Sequence, residues 1–332
     1  MILAGDVGGT KANLALFRKE GDTLRVAFQS RLATRDYTGI ESLVDAFLQK
    51  APAAGGDGTT IDAAAFGVAG VVVDGQHYSE NLPWLVDASS LKQRLNLRHV
   101  GLLNDLAATA LSLPRLPPAD FVSLNVGIPM PHGALGVIAA GTGLGEALLF
   151  WDGSKYRVAG AEGGMTDFTP RTERDIRLLS HLKTQLANVC CEDVVSGRGF
   201  RRIHEFLDAS VRHESFDAPG ASPAAEITQR ALEKSCPVCL ATLDWWVELL
   251  GATTGNFVLQ TMSLGGVYIA GGIAVKILSK LKEASFFKSF CGASKLAPML
   301  ANVPISVVLN EDAPMWGAAY HALGSLDEAH AR

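Results

Sequence analysis

Apolar positions along the chain alternate between runs that suit strands and runs that recur at helical spacing. Ile2-Leu3-Ala4 lead into Gly5-Asp6-Val7-Gly8-Gly9-Thr10-Lys11, and Asn13-Leu14-Ala15-Leu16-Phe17 lead out. Two strand-like runs joined by a glycine turn predict a β-hairpin. Leu24 to Ala33 adds a third strand. Thr38-Gly39-Ile40-Glu41 has the form of a capping box, and Ile40, Leu43, Val44, Phe47 and Leu48 follow on one helical face. Residues 52–60, rich in Gly, Ala and Asp, predict a loop. Ile61 to Ala69 predicts a buried strand, Asn81-Leu82-Pro83-Trp84 a loop, and Asp87 the cap of a helix carrying Leu91 and Leu95. A strand from Val100 to Leu103 ends at Asn104-Asp105, and Leu106 to Leu113 is helical. The order βββαβαβα predicts an α/β layer architecture.

The Pro-rich stretch Leu113-Pro114-Arg115-Leu116-Pro117-Pro118 marks a boundary. Beyond it the first pattern returns. The apolar run Ala134 to Ala140 enters Gly141-Thr142-Gly143-Leu144-Gly145 and leaves through Ala147-Leu148-Leu149-Phe150-Trp151, with another strand near Tyr156-Arg157-Val158. Two such hairpins more than a hundred residues apart suggest an internal duplication. Ala161 to Phe168 forms a glycine-bearing loop, and residues 172–262 are mainly helical, with Asp244-Trp245-Trp246 in the core. Gly265 to Ile273 is a strand that ends in Gly271-Gly272 before a helix. Val303 to Leu309 is the last strand, and Met315 to Leu323 a helix folding back on the first half.

Composition narrows the class. The 332 residues carry a formal charge of −5, 19% charged and 48% hydrophobic positions, an ordinary globular balance with room for two domains. That charge offers no reason to expect nucleic acid or an anionic membrane surface. No basic leader and no apolar run long enough to span a membrane appear, so the cytoplasm is the expected location. Five cysteines, an odd number, argue against a disulfide framework. Cys236-Pro-Val-Cys239 is a single CxxC and Cys190-Cys191 a vicinal pair. Structural zinc usually needs two such pairs or nearby histidines, so these are expected to be buried thiols.

The hairpins carry the candidate chemistry. Gly8 and Gly9 leave bare backbone amides for an anion, Thr10 adds a hydroxyl, and Asp6 places a carboxylate where a phosphate-bound Mg²⁺ would sit. An ordinary Gly-Gly turn explains the first hairpin alone equally well. Neither hairpin is a Walker A loop or a GxGxxG turn opening a helix. Asp105, at the C-terminal end of a strand, is placed to serve as a general base, or simply to cap the helix that follows.

Taken together and in order, several segments resemble the actin-like sugar kinases, and more closely the bacterial ATP-dependent glucokinases outside the ROK group. They are Gly5 to Thr10, Leu103-Asn-Asp105, Gly141 to Gly145, Glu162-Gly-Gly164 with Asp167-Phe168, Glu192 to Gly197, and Gly265 to Gly272. The resemblance implies two actin-like (ribonuclease H-like) α/β domains of βββαβαβα type with a cleft between them. Residues 1–115 with about 311–332 would form the smaller, and 116–310 the larger, with a helical insertion. It implies phosphorylation of glucose at O6 by ATP with Mg²⁺, and Asp105 as base. Asn104, Glu162 and Glu192 would contact sugar, with Asn81 facing it. Gly8, Gly9, Thr10, Gly141, Thr142 and Gly143 would hold phosphates, and Asp6 would hold Mg²⁺ through water. Gly271 and Gly272 would let adenosine lie on bare backbone, although helix–strand packing explains that pair too. A homodimer is expected. Two positions depart from the family pattern: Met165 stands where a sugar-contacting histidine is usual, and Arg198 where proline is frequent. Met165 leaves room for another hexose or an amino sugar as substrate, or for a sugar-binding regulatory protein of low turnover.

Overall fold

A computed structural model describes residues 1–21, 23–51, 60–78, 82–218, 220–292 and 295–330. Two compact units emerge, one chiefly from Met1–Pro117 and Asn310–Arg332, the other from Pro118–Lys155 and Ala161–Leu309.

In the first unit, β1 (Ile2–Val7), β2 (Lys11–Glu20) and β3 (Thr23–Ala33) form an antiparallel meander. α1 (Ile40–Lys50) leads to β4 (Ala63–Val68), then α2 (Ala88–Leu95), β5 (Val100–Asn104) and α3 (Asp105–Ser112). The sheet order is β3-β2-β1-β4-β5, with β4 parallel to both β1 and β5. Alternation along β1 explains the two layers, because successive side chains leave opposite faces. Leu3 and Val7 pack with Phe66 against Leu43, Val44 and Phe47 of α1. Ile2 and Ala4 pack with Phe17 against Met315, Ala318 and Ala322 of the C-terminal helix, Ala313–His330.

The expected capping box at Thr38 does not form. α1 starts one residue later, with Gly39 as N-cap and no side-chain cap, so Glu41 falls at the second helical position rather than the third. Asp87 does cap α2, accepting the Ser89 N–H at 2.6 Å. The loop expected over 52–60 lies almost wholly outside the described residues, as does Asn81.

In the second unit, β6 (Phe121–Asn125), β7 (Leu135–Ala140), β8 (Leu144–Trp151), β9 (Tyr156–Ala161), β10 (Gly266–Ala270) and β11 (Ile305–Val308) build one sheet. Its order is β9-β8-β7-β10-β11-β6. Leaving β6 aside, this repeats the order of the first sheet, with β7 parallel to β10 and antiparallel to β8. β6 is an antiparallel edge strand that the sequence pattern did not suggest. Between β9 and β10 lie α4 (Glu173–Leu182), α5 (Gly197–Asp208), α6 (Pro223–Leu232) and the 25-residue α7 (Pro237–Thr261).

Trp245 and Trp246 of α7 are buried and set the neighbouring helices. The Trp246 ring stacks on Phe200 of α5 at 4.5 Å between centroids, and its indole N–H donates to the Ser196 carbonyl at 3.2 Å. The Trp245 N–H donates to Asp175, which closes a capping box with Thr172 at the start of α4. A buried indole needs such an acceptor, and here each acceptor fixes a helix start.

The C-terminal helix reaches α3 only because residue 317 is glycine. A Cβ there would stand 1.6 Å from the Ala108 carbonyl oxygen, whereas one at Gly324 meets nothing within 4 Å. Gly317→Val is therefore expected to destabilise the first unit by about 2–3 kcal/mol, as overpacked sites do. Gly324→Ala should be neutral or stabilising by up to about 1 kcal/mol, since alanine is the better helix former. Urea unfolding of the two variants checks the contrast, and equal midpoints would contradict it.

Candidate active site

The first hairpin turn is held from outside. The buried Thr34 donates its hydroxyl to the Gly8 carbonyl at 2.7 Å and its N–H to the Thr10 carbonyl at 3.1 Å. Gly8 N–H closes the turn on the Lys11 carbonyl at 3.0 Å. Thr10 remains exposed, and Gly8 and Gly9 half-buried.

Parallel register carries the next groups to the same end of the sheet. Asp6 pairs with Gly67, and Val68 with Asn104. Asn104, not Asp105, caps α3: its side-chain oxygen accepts the N–H groups of Leu106 at 2.8 Å and Ala107 at 3.2 Å, and its amide donates to the Gly70 carbonyl at 2.9 Å. The N-cap position that the sequence left open to Asp105 is thus filled by Asn104. Asp105 is the first helical residue, half-buried, and touches the Leu106 N–H at 2.9 Å with one carboxylate oxygen.

Asp6 stands close enough to Asp105 and Asp312 to feel both. Burial first, then the Asp105 charge, push its carboxyl up to about 7, with Lys11 opposing and Asp312 adding to the rise. Hard oxygen donors that repel one another in this way suit a divalent cation, which would relieve the repulsion. Asp312 was not among the residues the sequence suggested. It accepts from Asn13 at 2.7 Å, Gln29 at 3.0 Å and Arg31 at 3.3 Å, tying the entry to the C-terminal helix to β2 and β3. Its sequence signal is faint, one acid ahead of a helical run.

In the second unit the Gly141-Thr142-Gly143 turn is held in a parallel way. Gly197, the first residue of α5, donates its N–H to the Gly141 carbonyl at 2.8 Å. Glu192 accepts the Leu144 N–H at 3.1 Å, and its carboxylate fills the space a Cβ on Gly143 would need. Its other oxygen takes an ion pair from Arg198. Glu192 is thus not an exposed helix-start residue; its side chain is only 19% exposed. Asp193 beside it accepts the Cys190 N–H at 3.0 Å and an Arg202 guanidinium at 2.6 Å, which fixes the turn that carries Glu192.

Glu162 opens the Gly163-Gly164 loop. Gly164 is obligatory, since a Cβ there would lie 2.0 Å from the Leu144 carbonyl oxygen, whereas one on Gly163 would meet the end of the Glu146 side chain and displace its carboxylate. Partial burial and the neighbouring Glu192 push the Glu162 carboxyl above its ordinary value. Met165 follows, 59% exposed.

Gly271 and Gly272 differ. Gly271 has φ +91° and lies close to the Ala140 carbonyl, so backbone geometry requires it, while a Cβ on Gly272 meets nothing within 4 Å. Packing therefore accounts for Gly271 but not for Gly272. The turn at Gly141 and Thr142, the face of α5 with Gly197, Arg198 and Arg202, and Ile273 and Lys276 line a pocket of about 740 Å³.

These features are those of actin-like sugar kinases. A solved glucokinase from an Antarctic psychrotroph superposes with a TM-score of 0.85 at 27% identity, covering 97% of this chain and 98% of that one. A glucokinase from Balamuthia mandrillaris, solved in complex with glucose, shares the fold at a TM-score of 0.78 and 21% identity, covering 97% and 93%. The family model for glucokinase matches residues 3–325, and a glucokinase of Nostoc punctiforme is 35% identical over 96% of this chain and 98% of its own. The chain belongs to the glucokinase family, and so to the sugar phosphotransferases.

Glu146 is the acid that sequence reading passed over, although a carboxylate inside the apolar run of β8 is itself a signal. It is 5% exposed, and burial pushes its carboxyl up to about 7. The fold therefore holds a proton that the unfolded chain releases above about pH 4.5, and stability is lost as pH rises through about 7. Glu146→Gln should accordingly gain about 2–3 kcal/mol on the wild type between pH 5 and pH 8. Urea unfolding at the two pH values measures this; a difference independent of pH would show Glu146 to be ionised in the fold.

Proposed function

We propose that the chain transfers the γ-phosphoryl group of ATP to O6 of glucose, with Asp105 as the general base. The observation that carries the assignment is the division of labour at the end of β5. Asn104 makes the side-chain cap of the helix, and Asp105, the first helical residue, stands beside it close enough to Asp6 for the two carboxylates to interact. A sugar hydroxyl is a poor nucleophile, and a positioned carboxylate that removes its proton as the phosphoryl group arrives contributes about 10²–10⁴-fold. The remainder comes from positioning and charge stabilisation.

Glucose would be held through its hydroxyls by Asn104, Glu162, Glu192 and Asn81, carboxylate oxygens accepting from adjacent hydroxyls. Phosphates would lie on the amides of Gly8, Gly9, Gly141 and Gly143 and the hydroxyls of Thr10 and Thr142. Adenosine would lie in the second unit's pocket against Gly271 and Gly272. Mg²⁺ would be held at Asp6 through water, and when bound it neutralises charge on the transferring phosphates. The family relation and the two clamped hairpins support this reading.

A second reading, a different hexose or an amino sugar, is favoured by Met165. A thioether neither donates nor accepts well, and losing one neutral hydrogen bond costs about 0.5–1.5 kcal/mol. ADP release with Mg²⁺ATP across a panel of hexoses decides between the two. Glucose-dependent turnover supports the main reading, and turnover with another sugar alone supports the second. Asp105→Ala is expected to lower kcat at least about a hundredfold with ATP binding retained, and turnover like the wild type would discard the base assignment. Arg198→Met removes the partner of Glu192. An exposed ion pair of this kind is worth up to about 1 kcal/mol, so KM for the sugar should rise up to about fivefold with kcat little changed.

A further inference from the structure

We propose that the helical part of the second unit holds a structural zinc ion, bound by His204, His213, Cys236 and Cys239. The four residues come from three places: the C-terminal half of α5, the loop after it, and the N-cap and first turn of α7. One ligand atom from each lies within 4.8 Å of all the others. A tetrahedron with metal–sulfur bonds of about 2.3 Å and metal–nitrogen bonds of about 2.0 Å has edges of about 3.3–3.8 Å, so a small inward shift of the side chains closes the set on an ion. His213 Nε2 and Cys239 Sγ are already 3.1 Å apart.

The second observation is His204 itself. It is wholly buried, and neither ring nitrogen has a hydrogen-bond partner. Buried imidazoles are normally satisfied, and one left orphaned calls for a reason. Its ring stands edge-on to His213 at 5.3 Å and to Phe216 at 5.1 Å between centroids. A cation among the four groups gives it a partner.

The CxxC segment has the local form such a site needs. Cys236 is the N-cap of α7, Pro237 occupies the first helical position, and the Cys239 N–H points at the Cys236 sulfur at 3.5 Å. Amide hydrogens directed at sulfur favour the thiolate that a metal requires. Both cysteines are buried and free. Two thiolates and two neutral imidazoles make a closed, charge-neutral S₂N₂ set for Zn²⁺, with no position left for water. Binding replaces the thiol protons: Zn²⁺ enters, two S–H bonds are lost, and two protons leave to solvent.

The ion would tie the second half of α5 to the start of α7. Gly197, Arg198 and Arg202 on that same α5 line the pocket beside Thr142, so zinc would set one wall of the proposed nucleotide site from a distance.

The test uses the whole chain, expressed without a histidine tag and purified without chelator. Elemental analysis is expected to find about one zinc per chain, and the Cys236→Ser/Cys239→Ser double variant less than a tenth of that. Replacement by Co²⁺ should give thiolate charge-transfer bands and the strong visible absorption of a tetrahedral ion. His204→Ala, which keeps both cysteines, should weaken zinc retention against a chromophoric chelator at least tenfold, and the thermal midpoint should fall on stripping the metal. The proposal is overturned if the purified chain is metal-free and stays so after incubation with Zn²⁺ and gel filtration. A Cys236–Cys239 disulfide in the purified protein, or undiminished zinc in the double cysteine variant, would overturn it equally. None of these readouts depends on sugar phosphorylation.

Discussion

The two glycine turns can present bare backbone only because something else holds them in shape. A short glycine turn has little of its own to fix it beyond one backbone hydrogen bond, and its glycines cost the most conformational entropy on folding. In the first unit Thr34 grips the Gly8 and Thr10 carbonyls from one side. In the second, Gly197 grips Gly141, and Glu192 lies where Gly143 has no side chain. Each clamp uses inward-facing polar groups and leaves the outer face of the turn open. The second clamp also places a carboxylate beside the turn, so the residue that fixes the hairpin is the same one proposed to contact the sugar.

Holding acids this close works against stability. Asp6 and Glu146 both have carboxyl groups pushed up to about 7, the first by burial and neighbouring acids, the second by burial. A carboxylate removed from water without a cationic partner is a poor contributor to folding, and sites of this kind are common where chemistry is done. The network around Asp312 shows the contrasting solution. Three donors converge on it, and it serves to anchor the C-terminal helix against the first sheet.

The tryptophan pair and the His204 cluster show how the helical insertion reaches the hairpin. Trp246 takes the Ser196 carbonyl and stacks on Phe200, which positions the start of α5, and Gly197 there meets Gly141. His204, about two turns further along the same helix, is packed among His213, Cys236 and Cys239. The start of α5 and its second half are thereby held against α7, and the helix forms a pocket wall.

The sequence by itself determined most strands and helices of both units and the place of both hairpins, the edge strand β6 excepted. Period-two alternation in β1 and period-3.6 recurrence in α1 are local consequences of burying one face. The ordered set of turn motifs likewise sufficed to place the chain in its family. It did not determine which of Asn104 and Asp105 caps α3, since both are good caps and only the chain entry angle chooses. Nor did it show that Arg198 pairs with Glu192, that Glu146 is buried under Gly163, or that two histidines join a lone CxxC. Those contacts join groups 6, 17, and up to 35 residues apart, and no periodicity links them. Only tertiary packing brings such side chains together, because what selects them is the shape of the space left between helices and turns that were themselves locally encoded.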